Sequence, residues 1–258
     1  MKTRSIVTKT LTFAVAILFV ASSAIAQWDV AADFNITSNA AGNVWTYGQV
    51  PYSAGPGSDP DVSGFTLYDE AGTVVDPNAP FAWQDGPSPS VDTLGAVSFN
   101  ESNSFKTFFG IDWEPMEVNF VPDQSGAVVS TARFTAPEDG LYIVHAEFAD
   151  NQSCCAGREG DAWVLTDSAT TFMMDPVPSS DGLLTHATGT QREWVIYDDL
   201  INLLAGDSIY FASGKGLTGG DHVVLRATVD LVPEPATFGV ALIGLLAWLG
   251  TLRRRARA

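Results

Sequence analysis

Positive charge is scarce in this 258-residue chain. Thirteen Lys and Arg face 30 Asp and Glu, a formal net charge of −17. Seven of the 13 bases lie in residues 1–26 and 233–258, so the segment 27–232 carries six bases against 29 acids, a formal charge of −23. Such an acidic surface repels phosphate backbones, which excludes nucleic acid as a partner and favours solubility or divalent cations.

Cysteine is limited to two adjacent residues, Cys154 and Cys155. Two thiols tend to pair in an oxidising compartment. Neighbouring Cα atoms lie about 3.8 Å apart across a trans peptide, below the usual disulfide range of about 4.4–6.8 Å. A disulfide between the two cysteines would therefore be a strained ring that pins its loop into a tight turn. Reduced thiols, pairing between molecules and metal binding stay open as alternatives.

Catalytic motifs are absent as well. The chain has no Gly-x-Ser-x-Gly elbow, no His-Glu-x-x-His pair and no glycine-rich phosphate loop followed by Lys-Ser or Lys-Thr. Its three histidines (His145, His186 and His222) lack the spacing of zinc ligands. We therefore expect a protein that is not an enzyme, although a glycosidase carboxylate pair would leave no local signature.

The N-terminus has the order of a secretory signal peptide. Three bases within the first nine residues precede the apolar stretch Leu11–Val20 and the small-residue sequence Ala24-Ile25-Ala26. This order predicts that signal peptidase removes residues 1–26 and leaves Gln27 as the mature N-terminus. An uncleaved N-terminal anchor is the alternative.

The C-terminus combines Pro233-Glu234-Pro235, an uncharged run over 236–252 and a basic tail over 253–258. As a helix at about 1.5 Å per residue, the 17-residue run reaches roughly 25 Å, the short limit for spanning a bilayer. Four arginines behind the run hold the tail on the cytoplasmic side and leave the upstream chain outside.

This layout closely resembles the PEP-CTERM sorting signal of Gram-negative bacteria, with Pro233, Glu234 and Pro235 at the position of its namesake motif. The resemblance implies recognition by an exosortase and cleavage near the Pro-Glu-Pro sequence. It also implies a transient stay in the inner membrane and delivery to the cell surface or the extracellular matrix. The opening of the mature segment, with Asp33-Phe34 and Trp45-Thr46-Tyr47-Gly48, resembles domains common among such proteins.

Alternating apolar and polar residues predict strands in the second half of the mature segment. The clearest are Ala127–Phe134 and Leu141–Phe148, which flank a turn signal at Ala136–Gly140. In the second of them Tyr142 and every second residue after it share an apolar face, because side chains alternate along a strand. Ser208–Ala212 and His222–Leu231 predict a closing hairpin.

These patterns predict an all-β fold for 27–232, a length that suits one large domain or two small ones. Helical periodicity is confined to the two ends, apart from a short helical turn expected near Asp198–Leu204, and no internal repeat is evident. The Pro-x-Asp-Gly turn at Pro137–Gly140 and the closing hairpin resemble those of jelly-roll domains. The resemblance implies a jelly-roll-like antiparallel β-sandwich between the signal peptide and a transmembrane sorting helix.

Four tryptophans are candidates for a sugar platform, because pyranose faces stack on aromatic rings while polar neighbours bind hydroxyls. They are Trp83, Trp113, Trp163 and Trp194. For each of them a place in the core is the alternative.

Carboxylates in predicted loops are candidates for a calcium site, because calcium takes oxygen ligands. They are Asp59, Asp61, Asp198, Asp199 and Asp221. No EF-hand spacing is present, and clustering by chance is expected among 30 acids.

The sequence as a whole predicts an exported, surface-sorted, non-catalytic protein of the extracellular matrix or biofilm that binds glycan. Its partners would be signal peptidase and exosortase during export, the membrane before processing, and polysaccharide afterwards. A glycan-active hydrolase or lyase on the same scaffold is the first alternative. A purely structural matrix protein is the second.

Overall fold

The structure is a computed structural model. It describes residues 26–52, 59–73, 81–85, 95–108, 111–121, 123, 125–150, 159–167, 172–173, 183–185, 194–214 and 222–233. Contacts divide the chain into two compact units, Trp28–Val229 and the two ends Met1–Gln27 and Asp230–Ala258. The described part of the chain contains no helix that is both long and apolar enough to cross a membrane, and the predicted membrane run 236–252 lies outside it.

Strands make up nearly all the regular structure of the described residues. In chain order they are β1 Gln27–Asp29, β2 Trp45–Pro51, β3 Thr66–Leu67, β4 Glu70–Thr73, β5 Phe81–Gln84, β6 Ala96–Phe99, β7 Lys106–Phe108, β8 Ile111–Trp113, β9 Val118–Val121, β10 Val128–Thr135, β11 Gly140–Asp150, β12 Glu159–Thr166, β13 Phe172–Met173, β14 Leu183–Thr185, β15 Val195–Leu203, β16 Ser208–Gly214 and β17 Val223–Leu231. A 3₁₀ helix covers Val62–Gly64.

The strands form two large sheets and one small pair. The eight-stranded sheet has the order β15-β11-β17-β9-β6-β5-β4, with β1 beside β17. The seven-stranded sheet has the order β13-β12-β16-β10-β2-β3, with β14 beside β12, and β7 pairs with β8. The long ladders, such as β10 with β16 and β11 with β15, are antiparallel. The predicted all-β antiparallel sandwich is confirmed.

Aromatic side chains from both sheets meet in the core. Phe134 on β10 and Tyr142 on β11 have ring centroids 5.8 Å apart, and Trp28 lies 5.5 Å from Phe134. Phe34 stacks on Tyr47 at 4.2 Å. Buried aromatic pairs of this kind stabilise a core beyond the contribution of the area they bury.

The alternation predicted for β11 is confirmed. Tyr142, Val144, Ala146 and Phe148 are fully buried, whereas the residues between them reach solvent to varying degrees. One face of β11 therefore belongs to the core, and the other belongs to the outer surface of the eight-stranded sheet.

The predicted closing hairpin is wrong, although both of its strands exist. Strand β16 lies between β10 and β12 in the seven-stranded sheet, and β17 lies between β11 and β9 in the other sheet. All seven residues of β16 are buried, because one face belongs to the core and Tyr210 and Ala212 on the other face belong to a second buried cluster. The chain thus crosses from one sheet to the other between two strands that are adjacent in sequence.

The short helical turn predicted near Asp198–Leu204 is also wrong. Residues Val195–Leu203 form a strand that pairs with β11 along nine positions, from Phe148 opposite Val195 to Gly140 opposite Leu203. The apolar run at its end fits a helix or a strand equally well. The hydrogen-bonded ladder to β11 decides the matter, because pairing over a long register overrides a weak local preference.

A second buried cluster lies on the outer face of the seven-stranded sheet. Trp163, Leu165 and Tyr210 belong to it, and Val62 and Phe65 from the segment after β2 pack against it. The guanidinium of Arg133 lies 4.4 Å from the centre of the Phe65 ring. This cluster removes Trp163 from the surface and holds the 3₁₀ segment over the sheet.

Candidate functional site

The outer face of β15, β11 and β17 carries the candidate site. His145 and Glu147 on β11 face outward, because their neighbours Val144 and Ala146 point into the core. In the antiparallel register His145 lies opposite Asp198 on β15. Strand β17 is the other neighbour of β11, so its outward residues join the same surface.

Arg226 on β17 is the centre of the polar contacts on this face. Its guanidinium carbon lies 4.1 Å from the centre of the Trp194 ring. Its Nη2 lies 3.4 Å from Glu114 Oε2, and its Nη1 lies 3.7 Å from Glu147 Oε2. One cation thus orients an aromatic ring and two carboxylates on the surface of the sheet.

His145 lies between two further carboxylate contacts. Its Nδ1 is 2.6 Å from Asp198 Oδ1, and its Nε2 is 3.5 Å from Glu147 Oε1. The hydrogen bond to Asp198 raises the pKa of His145 above its usual value, and the charges of Asp198 and Glu147 add to the increase, although partial burial opposes it. The contact between His145 and Asp198 links β11 to β15.

We call this set of side chains the polar end of the outer face. It consists of Trp194, Arg226, Glu114, Glu147, His145 and Asp198. It offers one partly exposed aromatic ring beside hydrogen-bond donors and acceptors. Such a combination binds the apolar face and the hydroxyl groups of a sugar.

Three of the four predicted sugar-stacking tryptophans belong to the core. Trp113 and Trp163 are 0% and 1% exposed, and Trp83 is 6% exposed. The indole N–H groups of Trp83 and Trp113 donate to the Asn35 carbonyl and to Ser98 Oγ. A sugar cannot stack on a ring that other side chains cover, so the structure corrects the prediction for these three residues.

Trp194 is the exception among the four. It immediately precedes β15 and is partly exposed, with its ring against Arg226. The prediction from the sequence did not distinguish Trp194 from the other three, because no local pattern separates a surface tryptophan from a core tryptophan.

The described aspartates of the predicted calcium site are not brought together. Asp61 caps the 3₁₀ helix by accepting from the Ser63 backbone N–H and hydroxyl, and Asp59 is exposed nearby. Asp198 and Asp199 are neighbours on β15 and so point to opposite faces: Asp198 contacts His145, whereas Asp199 accepts from the Tyr197 hydroxyl. Among the described residues no group of three His, Cys, Asp or Glu is arranged to hold a metal ion.

Several predicted site residues lie outside the described residues. They are Cys154, Cys155, Asp221, Glu234 and Pro235. Pro233 is described and partly exposed. The disulfide, the sorting motif and the contribution of Asp221 stay predictions.

Sequence reasoning missed His145, Arg226, Glu114 and Glu147 as site residues. The alternation of β11 placed His145 and Glu147 on one face, and this signal could have identified these two residues. What the sequence lacked was the sheet order, because only the placement of β17 beside β11 brings Arg226 to Glu147.

Comparisons with known proteins yield fold likenesses at low similarity. No protein-family model and no curated protein matches the chain. The CBM22-1 xylan-binding domain from Paenibacillus barcinonensis matches with a TM-score of 0.30 and 9% identity, over 51% of this chain and 82% of that domain. The C-terminal CBM6 domain of LamC from Zobellia galactanivorans matches at 0.23 and 16%, over 44% and 79%.

The globular domain of a zebrafish complement 1qA protein also matches, with a TM-score of 0.29 and 15% identity, over 40% of this chain and 70% of that chain. All three TM-scores lie below 0.5. These likenesses therefore assign neither a family nor a ligand to this chain.

Proposed function

We propose that this chain is a non-catalytic, exported protein of the cell surface or extracellular matrix that binds polysaccharide through its polar end. The observation that carries the proposal is Trp194. It is the partly exposed member of the four candidate tryptophans, and it lies beside a guanidinium and two carboxylates on an open sheet face. The sandwich that presents it is a jelly roll in this proposal.

In this proposal the Trp194 ring provides a stacking surface and its polar neighbours provide hydrogen bonds. The C–H face of a pyranose stacks on Trp194, while Arg226 orients the ring and donates to sugar oxygens. Glu114, Glu147 and Asp198 accept from sugar hydroxyls. Removing such an aromatic anchor costs on the order of 2 kcal/mol, which is about 30-fold in Kd.

The destination follows from the two ends of the chain. The N-terminal signal sends the chain through the inner membrane, and the PEP-CTERM-like tail is the substrate of an exosortase. Residues 27–232 then act outside the cell. Calcium has no assigned role in this proposal.

A glycan array on the segment 27–232 tests the proposal. This segment contains the whole compact unit Trp28–Val229 with its own buried core. We expect retention on at least one polysaccharide, a loss of about 30-fold in affinity for Trp194→Ala, and no loss for Phe105→Ala. Phe105 is the matched control because it is also an exposed aromatic, with 57% of its surface accessible, and takes no part in the polar end.

The alternatives give different outcomes in the same assay. Degradation of a polysaccharide without stable retention favours a glycan-active enzyme. Neither retention nor turnover favours a purely structural matrix protein. If Trp194→Ala leaves retention unchanged, the binding site lies outside the polar end.

A further inference from the structure

Next to the polar end, four large apolar side chains face solvent. Leu141 and Ile143 on β11 are 38% and 45% exposed, and Leu200 on β15 and Leu204 just after it are both 58% exposed. We call these four residues the apolar patch. Scattered apolar residues are ordinary on a protein surface, but contiguous ones mark sites of interaction.

The strand register makes the patch contiguous. Ile143 lies directly opposite Leu200, and Leu141 is two residues before Ile143, about 7 Å along the strand. Leu204 is held at the same end, because the N–H of the next residue, Ala205, donates to Asp139 Oδ1 at 2.7 Å. Leu141, Ile143 and Leu200 are therefore neighbours on one face of the sheet, and Leu204 lies beyond Asn202, which is exposed on the same face opposite Leu141.

The fold itself does not require apolar residues at these positions. The opposite face of β11 supplies the core through Tyr142 and Val144, which are fully buried. Polar residues on the outer face would leave that packing intact, as they do in sheets with one solvated face. The exposed apolar side chains therefore point to a contact that a single copy of Trp28–Val229 does not make among its described residues.

The border of the patch is acidic. Glu138 and Asp139 are exposed immediately before β11, and Asp139 accepts from the Ala205 N–H directly after Leu204. Arg226 lies on the same sheet face, and its charge is already opposed by Glu114 and Glu147. Carboxylates beside an apolar patch are complementary to a partner that combines apolar and cationic side chains.

We propose that the apolar patch docks a basic amphipathic helix of a partner protein. Its apolar side chains cover Leu141, Ile143, Leu200 and Leu204, and its Lys or Arg side chains meet the carboxylates of the border. This is the helix-in-groove mode of recognition applied to an open sheet face. The docking site is separate from the polar end and does not depend on the proposed glycan binding.

A second copy of this chain is the less favoured occupant. A two-fold contact presents the same surface from both copies. Each copy would bring the same exposed carboxylates, Glu138 and Asp139, and each segment 27–232 carries a formal charge of −23. Like charges facing each other across an interface oppose association.

A synthetic helix of about 18 residues, with Leu on one face and Lys on the other, is the probe, and fluorescence anisotropy measures its binding to the segment 27–232. Its counterpart with Glu in place of Lys is the peptide control. We expect the Lys peptide to bind at least tenfold more tightly than the Glu peptide. The double variant I143N/L200N should bind the Lys peptide at least tenfold more weakly than the wild type.

Two controls keep the test specific. Met116→Gln removes another exposed apolar side chain, 47% accessible and outside the patch, and should leave peptide binding unchanged. The pair I143L/L200I keeps the patch apolar and should retain binding. Circular dichroism on every variant confirms that the sandwich is folded before peptide is added.

Other results would overturn the proposal. Equal binding of the Lys peptide to the wild type and to I143N/L200N would mean that long-range charge attraction alone is at work. If sedimentation shows that the wild type is a dimer and that I143N/L200N is a monomer, the occupant of the patch is a second copy of the chain. Equal binding of the Lys and Glu peptides would remove the acidic border from recognition.

Discussion

His145 joins two strands of the outer face through a single titratable ring. Its Nδ1 bonds to Asp198 on β15, while its own backbone belongs to β11. The hydrogen bond and the nearby carboxylates raise its pKa, so the folded state holds the proton more tightly than the unfolded chain does. Stability from this contact is therefore present below the unfolded pKa of about 6.5 and is lost as pH rises through the folded pKa.

We expect the stability difference between the wild type and His145→Gln to depend on pH. The free energy of unfolding of the wild type should exceed that of the variant at pH 5.5, by no more than about 1 kcal/mol because the side chain is 38% exposed to solvent. The difference should shrink by pH 8.5. Urea denaturation at both pH values measures it. A difference that grows with pH would contradict the assigned contact.

The position of a tryptophan, in the core or at the surface, cannot be predicted from the residue type alone. Trp113 and Trp194 are alike in the sequence, yet the first is fully buried and donates its N–H to Ser98, while the second is partly exposed against Arg226. Composition predicted that aromatic residues would fill a core or line a site. Which of the two each ring does depends on neighbours that are distant in the sequence.

At the scale of elements, the close approach of β2 and β3 depends on a glycine. Gly48 lies opposite Leu67, and a Cβ at this position would overlap the carbonyl oxygen of Thr66 and lie 2.8 Å from the Phe65 ring. Phe65 in turn packs on the outer cluster of the seven-stranded sheet. The absence of a side chain at Gly48 thus lets the 3₁₀ segment cover that cluster.

Gly48→Ala should destabilise the fold by about 1–3 kcal/mol, because a backbone carbonyl cannot move aside as a flexible side chain would. Gly42→Ala is the matched control, since nothing lies within 4 Å of a Cβ placed there, and it should change stability by no more than about 0.5 kcal/mol. Urea denaturation of both variants measures the two effects. Equal effects would argue against the close approach of β2 and β3.

Strands β15 and β17 show how far alternation leads. The strand predicted at His222–Leu231 exists as β17, where Val223, Leu225 and Val229 are buried and Arg226 is exposed. For β15 the apolar run near its end favoured a short helical turn, and the strand appears only through its register with β11. Both faces of β15 mix apolar and polar residues, so periodicity did not separate a strand from a helical turn there.

At the scale of the whole molecule, the chain has an acidic β-sandwich between two ends of different character. The segment 27–232 carries six bases and 29 acids, whereas the last six residues contain four arginines. A basic tail behind an apolar membrane-spanning run favours the cytoplasmic side of the membrane. Export and sorting therefore stay predictions that rest on the two ends of the chain and not on its middle.

We expect processing at the Pro-Glu-Pro sequence to depend on an exosortase. In a Gram-negative host that has the enzyme, the protein should reach the cell surface or medium without its last residues. In the same host without the enzyme, the full-length chain should accumulate in the inner membrane. Fractionation with mass spectrometry of the C-terminus measures both. Substitution of Glu234 by Ala should reproduce the accumulation, and an unchanged distribution in both hosts would contradict sorting by this tail.

The sequence by itself determined the acidic charge and the all-β class, and it predicts the address, because each depends on composition or on a pattern within a few residues. Tertiary structure alone decided that β16 and β17 lie in different sheets, that Trp113 is core and Trp194 is surface, and that Arg226 meets Glu147 and Trp194. The physical reason is that strand pairing joins residues far apart in the chain. The alternation within a strand indicates which of its faces is buried. The position of the neighbouring strands decides which residues lie beside its outward side chains.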